Sequence, residues 1–272
     1  MNSFVKRTIT GVVFVILIIG SVVLSQLVFA GLFFLVTIGG LFEFLRISKA
    51  LGGNVSKVAL ILSATFVYTL ITSVEFGFTT PDVLMYGLLV FPFIVVFELF
   101  RNSKSPLSNV SHAIAGLLWI VLPLALLNGF FSQAVGPAWH HSGALLGFFL
   151  ILWIFDSGAY IAGSMFGKHK MLERVSPKKS WEGFLGGMLL GFLTAFLVSA
   201  SFTEFSLSEW MIIALMIIIF GTLGDFVESM LKRSAGIKDS GSILPGHGGI
   251  LDRFDAVFIA APVVFLLLLL FR

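Results

Sequence analysis

Five of the fourteen acidic residues of this chain crowd into the stretch from Gly224 to Asp255, GDFVESMLKRSAGIKDSGSILPGHGGILDRFD, beside Lys232, Arg233, Lys238 and Arg253. Asp225, Glu228 and Lys232 recur at i, i+3 and i+7, which is one face of a helix. Asp252 and Asp255 repeat at i and i+3 where the next apolar run begins. Two acidic pairs flanking one loop are placed to converge on a divalent cation. Oxygen donors alone, in a chain without cysteine, suggest Mg²⁺ or Mn²⁺ rather than Zn²⁺. Between the pairs, PGHGG at 245–249 offers backbone N–H groups unobstructed by side chains, as phosphate-cradling loops do. The four cations would balance phosphate charge. The competing structural reading is a salt-bridge network at a membrane surface, which leaves the glycines and His247 without a role.

Two further clusters carry chemistry-bearing side chains. In DSGAYIAGSMFG, Asp156 and Tyr160 are four apart and share a helix face. A carboxylate inside an apolar run is a functional candidate by default, its structural alternative being a pair with a neighbouring helix. In SPKKSWEG, from Ser176 to Gly183, Pro177 interrupts the chain and Lys178 and Lys179 precede a helix start. Adjacent ammonium groups beside free helix N–H groups make an anion site. Lysines at this place also serve as plain membrane anchors, and spacing alone does not separate the two readings.

The elements that must hold these clusters are apolar. The chain is 58% hydrophobic and 11% charged, where a soluble protein has about 25% charged residues. Nine runs long enough for a span of about 20 residues lie near 8–25, 27–47, 57–74, 83–100, 110–131, 143–166, 181–203, 208–232 and 250–271. Only Ser25 and Gln26 part the first two, which predicts a tight helical hairpin. Lys6 and Arg7 before an apolar run also resemble a signal peptide; the second apolar run following at once favours an uncleaved span. With the N-terminus inside, sixteen Lys and Arg fall on the cytoplasmic side and Arg272 alone outside, as the positive-inside rule demands. The expected fold is therefore all-α, a polytopic membrane protein with about nine transmembrane helices.

Within the spans, Glu43 and Glu98 read as interfacial partners of Arg46 and Arg101. His140 and His141 read as a solvated outer loop, and the four-residue rows Gly163, Gly167 and Gly183, Gly187, Gly191 as close helix packing. The basic residues sit in short loops rather than on one polar face, so no nucleic-acid partner is indicated. Acidic donors, phosphate-binding backbone and surplus cations on one membrane face are equipment for phosphoryl or nucleotidyl transfer.

The run SMLKRSAGIKDSGSILPGHGGILDRFD, Ser229 to Asp255, resembles the signature of the phosphatidate cytidylyltransferases (CDP-diacylglycerol synthases). SPKKSWEG is similar to a second family segment, with Ser180 where the family more often has Thr. The resemblance covers the chain from about Asp156 onward; the N-terminal half is similar only in being hydrophobic. It implies the reaction of CTP with phosphatidate to give CDP-diacylglycerol and pyrophosphate, for phospholipid biosynthesis at the cytoplasmic face of the cell membrane. It implies Asp225 and Asp252 as leading metal ligands, with Glu228 and Asp255 as further candidates. Lys178, Lys179, Lys232, Arg233 and Arg253 would meet phosphates, Gly248 and Gly249 the pyrophosphate, and His247 could donate to a phosphate. Lys232 and Arg253 are expected to be catalytic with the two aspartates; Ser176, Lys238 and Asp156 complete the expected substrate contacts. On this reading residues 1–142 are N-terminal spans and 143–272 the catalytic region. The expected partners are CTP, phosphatidate and the lipid bilayer, with a homodimer as a candidate assembly. The rival enzyme is a CTP-dependent polyprenol or lipid kinase. The rival from another class is a secondary transporter, which should carry its charges near the bilayer midplane.

Overall fold

The computed structural model describes residues 3–131, 142–241 and 248–271. His140, His141 and His247 lie outside them, as do Pro245 and Gly246. The chain is an all-α polytopic membrane protein, and each expected span is met by helix. These are α1 (Ser3–Leu24), α2 (Gln26–Ala50), α3 (Lys57–Glu75), a 3-10 segment Pro81–Leu89 running into α4 (Val90–Arg101), and a composite of α5 (Pro106–Gly116), a π turn (Leu117–Val121), α6 (Leu122–Leu126) and a 3-10 turn (Leu127–Phe130). Then come α7 (Gly143–Phe166), α8 (Trp181–Ser201), α9 (Leu207–Ser234) and α10 (Leu251–Phe271). Eight of these stretches are long and apolar enough to cross a membrane; the apolar part of α1, Ile9–Leu24, is shorter. The composite span is broken where Pro123 lacks the N–H that a continuous helix would bond.

One departure from all-helix is a short antiparallel hairpin, β1 (Lys170–Leu172) with β2 (Ser176–Ser180), Lys170 facing Ser180. It was not expected. A five-residue strand that itself contains the two lysines has too little apolar alternation to announce itself.

By contacts the chain forms two compact units. One comprises residues 1–129 and 231–254, the other 130–230 and 255–272. This grouping interleaves along the chain, whereas the division at 142/143 follows chain order. In the first unit Ser25 caps α2, its hydroxyl accepting from the N–H groups of Leu27 (3.1 Å) and Val28 (3.2 Å) as α1 turns back on α2. Phe29, Phe33, Leu41 and Ile47 of α2 are buried, and the Tyr68 hydroxyl donates to the Ala30 carbonyl at 2.9 Å. α9 ends in this unit: Ile237 N–H bonds Lys232 O, Gly236 N–H bonds Arg233 O, and Gly236 takes φ +69°. That is a left-handed helix stop, which glycine adopts without strain.

In the second unit α7 and α8 pack closely, and the glycine rows sit in the contact. A Cβ on Gly187 would lie 2.7 Å from Phe155 O, and one on Gly183 2.7 Å from Ala159 O. Trp210, fully buried on α9, donates its indole N–H to Phe202 O at 3.1 Å.

Candidate active site

Three clusters that lie far apart in the sequence meet within the second unit. A cavity of about 480 Å³ is lined by Asp156 and Tyr160 from α7, Pro177, Lys178 and Lys179 from the hairpin, and Asp225 from α9. Asp156 and Tyr160 do share a face. Phe155, Ala159 and Phe184 form an apolar wall of the same cavity.

The hairpin aims the lysines. Ser180 ends β2 and caps α8, its buried hydroxyl accepting from Gly183 N–H at 3.2 Å. A hydroxyl there, of Ser or of Thr, satisfies an N–H that the helix start leaves without an intrahelical partner. Glu182, in the first turn of α8, accepts from the N–H of Lys168 (3.0 Å) and of His169 (3.2 Å), fastening the other end of the hairpin. Neighbouring strand positions face opposite ways, so the two lysines are not equivalent. Lys179 Nζ lies 2.5 Å from Asp225 Oδ2 and 5.1 Å from the Phe226 ring centre, while Lys178 is exposed. Ser176 begins β2 and is not among the residues that line the cavity.

Asp225 belongs to a wider group of carboxylates. Those of Asp156, Asp225 and Glu228 all act electrostatically on Asp255. Glu228 is fully buried, and Asp255 Oδ1 accepts from Ala256 N–H at 2.7 Å. The donor set is all oxygen, which suits a hard divalent cation. Among the described residues, no three Asp, Glu or His side chains already stand together as a metal site. Three of the four expected ligands, Asp225, Glu228 and Asp255, share this group, and Asp156 adds a fourth carboxylate.

Asp252 has different company, all in the first unit. Its Oδ1 takes Lys232 Nζ at 2.7 Å; its Oδ2 accepts from the N–H of Gly249 (2.7 Å) and Ser240 (3.0 Å), with the Ser240 hydroxyl at 2.9 Å. The Gly249 N–H expected to cradle phosphate is therefore held by a carboxylate of the chain itself. Gly248, at φ +82°, admits this approach: a Cβ there would sit 2.5 Å from Asp252 Oδ2. Arg233, Lys238 and Arg253 are exposed on the same unit.

Sequence reasoning passed over Glu43. It is fully buried on α2, and its carboxylate accepts from Ile250 N–H and Leu251 N–H, each at 3.0 Å, with the Ser240 hydroxyl, whose one proton it shares with Asp252, also at 3.0 Å. An acid in an apolar run was the available signal; Arg46, one turn on, offered a nearer explanation. Glu98, by contrast, keeps the expected pair with Arg101 at 2.8 Å.

These features define a polytopic membrane protein that gathers lysines and carboxylates around an amphipathic cavity. The chain belongs to the cytidylyltransferase family, whose profile matches residues 5–271, and it is a nucleotidyl-transferring enzyme. A phosphatidate cytidylyltransferase of Staphylococcus saprophyticus is 32% identical over 258 residues, covering 93% of this chain and 96% of that protein. One from Staphylococcus haemolyticus is 49% identical over 123 residues, 44% of this chain and 47% of the relative. One from Staphylococcus aureus is 44% identical over 142 residues, 52% and 53% of the two chains.

Proposed function

We propose that this enzyme transfers the cytidylyl group of CTP to phosphatidate, giving CDP-diacylglycerol and pyrophosphate, at the cytoplasmic face of the cell membrane in phospholipid biosynthesis. The observation that carries the reading is the cavity combining Lys178 and Lys179 with an apolar wall of Phe155, Ala159 and Phe184. A phosphate-bearing lipid needs both halves, and the volume suits a small-molecule site. The relatives, phosphatidate cytidylyltransferases by name, support the choice of donor and acceptor.

The chemistry asks little of side-chain bases. A phosphate oxygen of phosphatidate, already ionised near neutral pH, attacks the α-phosphorus of CTP. The bond from that phosphorus to the oxygen bridging the β-phosphorus breaks, and pyrophosphate leaves with the electron pair. Catalysis then consists of holding two polyanions together and neutralising charge as it shifts. Lys178 and Lys179 would bind phosphate oxygens, Lys179 moving from Asp225 to the substrate. Lys232 and Arg253 would neutralise phosphate charge, with Arg233 and Lys238 as outer cations. Asp225, Glu228 and Asp255, beside Asp156, would hold Mg²⁺ or Mn²⁺, which when bound supplies Lewis-acid neutralisation of phosphate oxygens. Asp252 would keep Lys232 and the Gly248–Gly249 turn in place. The catalytic region would thus be drawn from residues 143–272, and a homodimer is the assembly to be measured.

The test uses purified protein in detergent, phosphatidate, and CTP labelled at the α- or the γ-phosphorus. The α-label should enter a lipid, chelation of divalent cations should stop it, and Mg²⁺ should restore it. Entry of the γ-label would make the protein a lipid kinase, and no incorporation of either would sink the reading.

A further inference from the structure

We propose that Glu43, on α2, is a positioning residue for the signature region: it clamps the start of α10 and, through Ser240, steadies the Asp252–Lys232 pair. The inference deepens the function proposed above and rests on it for what the pair does. Burying a carboxylate among apolar helices is strongly unfavourable unless donors compensate it. Glu43 has two N–H donors and a share of one hydroxyl, all from a segment about two hundred positions away: Oε1 takes Ile250 N–H, Oε2 takes Leu251 N–H, and Oε2 divides the single Ser240 hydroxyl proton with Asp252, each Glu43 oxygen 3.0 Å from its donor. Ile250 and Leu251 carry two of the N–H groups that a helix start leaves without an intrahelical partner. A carboxylate is the natural partner there, because the positive end of the helix dipole adds to its hydrogen bonds. α10 is thus capped by a residue of another helix.

The same oxygen reaches further. The Ser240 hydroxyl stands 3.0 Å from Glu43 Oε2 and 2.9 Å from Asp252 Oδ2, and Ser240 N–H donates to Asp252 at 3.0 Å. Asp252 in turn holds Lys232 Nζ at 2.7 Å. A continuous polar chain therefore runs from Glu43 through Ser240 and Asp252 to Lys232. Two glycines make room for it, since a Cβ on Gly241 or Gly249 would collide with the Glu43 carboxyl group. Two of the signature's glycines are therefore accounted for by a carboxylate that lies outside the signature.

The experiment uses the full-length protein in detergent and the variant Glu43→Gln, which keeps the shape but replaces one acceptor oxygen with a donor. Its kcat should fall about ten- to hundredfold, what one charge-assisted hydrogen bond is worth, with the KM values for CTP and phosphatidate nearly unchanged. Amide exchange should rise at Ile250 and Leu251 but not in the middle of α2. Glu98→Gln, altering a buried carboxylate tied to Arg101 and Asn109, should keep wild-type kcat. Ser240→Ala cuts the link to Asp252 from the other end, so kcat should fall while Ile250 and Leu251 stay protected. Wild-type kcat in Glu43→Gln overturns the proposal, as does a kcat loss with unchanged protection at Ile250 and Leu251. Loss of protection along all of α2 also overturns it, because it would mark a merely structural residue. Should Glu43→Gln not survive solubilisation, wild-type kcat in Ser240→Ala overturns the link. If the wild-type protein makes no CDP-diacylglycerol, the functional reading falls separately, and exchange at Ile250 and Leu251 still decides the clamp.

Discussion

Lys178 and Lys179 are adjacent in the chain and differ in their surroundings. Lys179 pairs with Asp225 at 2.5 Å across the cavity lining, while Lys178, which lines the same cavity, is exposed. If both bind phosphate, either Gln substitution should lower kcat/KM about ten- to hundredfold, since a contact to a charged group is worth ~1.5–3 kcal/mol. The structure adds a distinction that spacing could not supply. Lys179→Gln combined with Asp225→Asn should be far from additive, because contacting residues couple, whereas Lys178→Gln with Asp225→Asn should add. A double-mutant cycle in kcat/KM reads both. Unaltered kinetics in the Lys178→Gln, Lys179→Gln double variant would leave the lysines as membrane anchors only.

At the scale of elements, the α7–α8 contact presents Asp156 to the cavity. That contact depends on glycine because backbone meets backbone. A Cβ on Gly158 would come within 3.2 Å of Gly187 Cα, and one on Gly187 within 2.8 Å of Ala159 Cβ. Overpacking of such a contact costs ~1–3 kcal/mol. Gly187→Ala should therefore lower the melting temperature in detergent and reduce activity, because α7 must shift to admit the methyl group. Gly31→Ala on α2 is the matched control, with nothing within 4 Å of the added carbon. It should melt like the wild type. Equal melting of the two variants would show that the helices separate freely and that the glycine rows do not set their approach.

For the whole molecule, the charge distribution predicts one orientation. Sixteen Lys and Arg fall on one side of the nine-span arrangement and Arg272 on the other. A reporter fused after Arg272 should read as external, and one in the segment at Lys104, between α4 and α5, as cytoplasmic. α1 decides the remaining end. Its apolar part, Ile9–Leu24, would extend about 24 Å at 1.5 Å per residue, short of a hydrocarbon core of about 30 Å, so its crossing rests on the positive-inside preference of Lys6 and Arg7. On that preference a reporter ahead of Lys6 should also be cytoplasmic. An external reading there, with the other two as expected, would reduce the count to eight spans; exchanged readings at Lys104 and Arg272 would defeat the orientation.

The helices were legible from the sequence because a bilayer makes hydrophobic length decisive: each run of apolar residues from 27–47 to 250–271 became a helix within a few residues of its expected ends. The signature from Ser229 to Asp255 was equally plain, since its polar residues stand in a chain that is 58% hydrophobic. Close packing at Gly183 and Gly187 followed from their spacing alone. Partnership was not legible. That Lys179 belongs to Asp225, and that Asp252 is held by Lys232 and Ser240, depends on which helix ends fold together. The two-stranded hairpin escaped notice because it is held by pairing between two short segments rather than by a pattern within either. Glu43 marks the limit most clearly. In the sequence its nearest explanation was Arg46, one helical turn away; in the folded chain its donors are Ser240, Ile250 and Leu251. Local periodicity reports which face a residue occupies, but a buried carboxylate takes whatever donors the tertiary fold brings to it, and that only the structure decided.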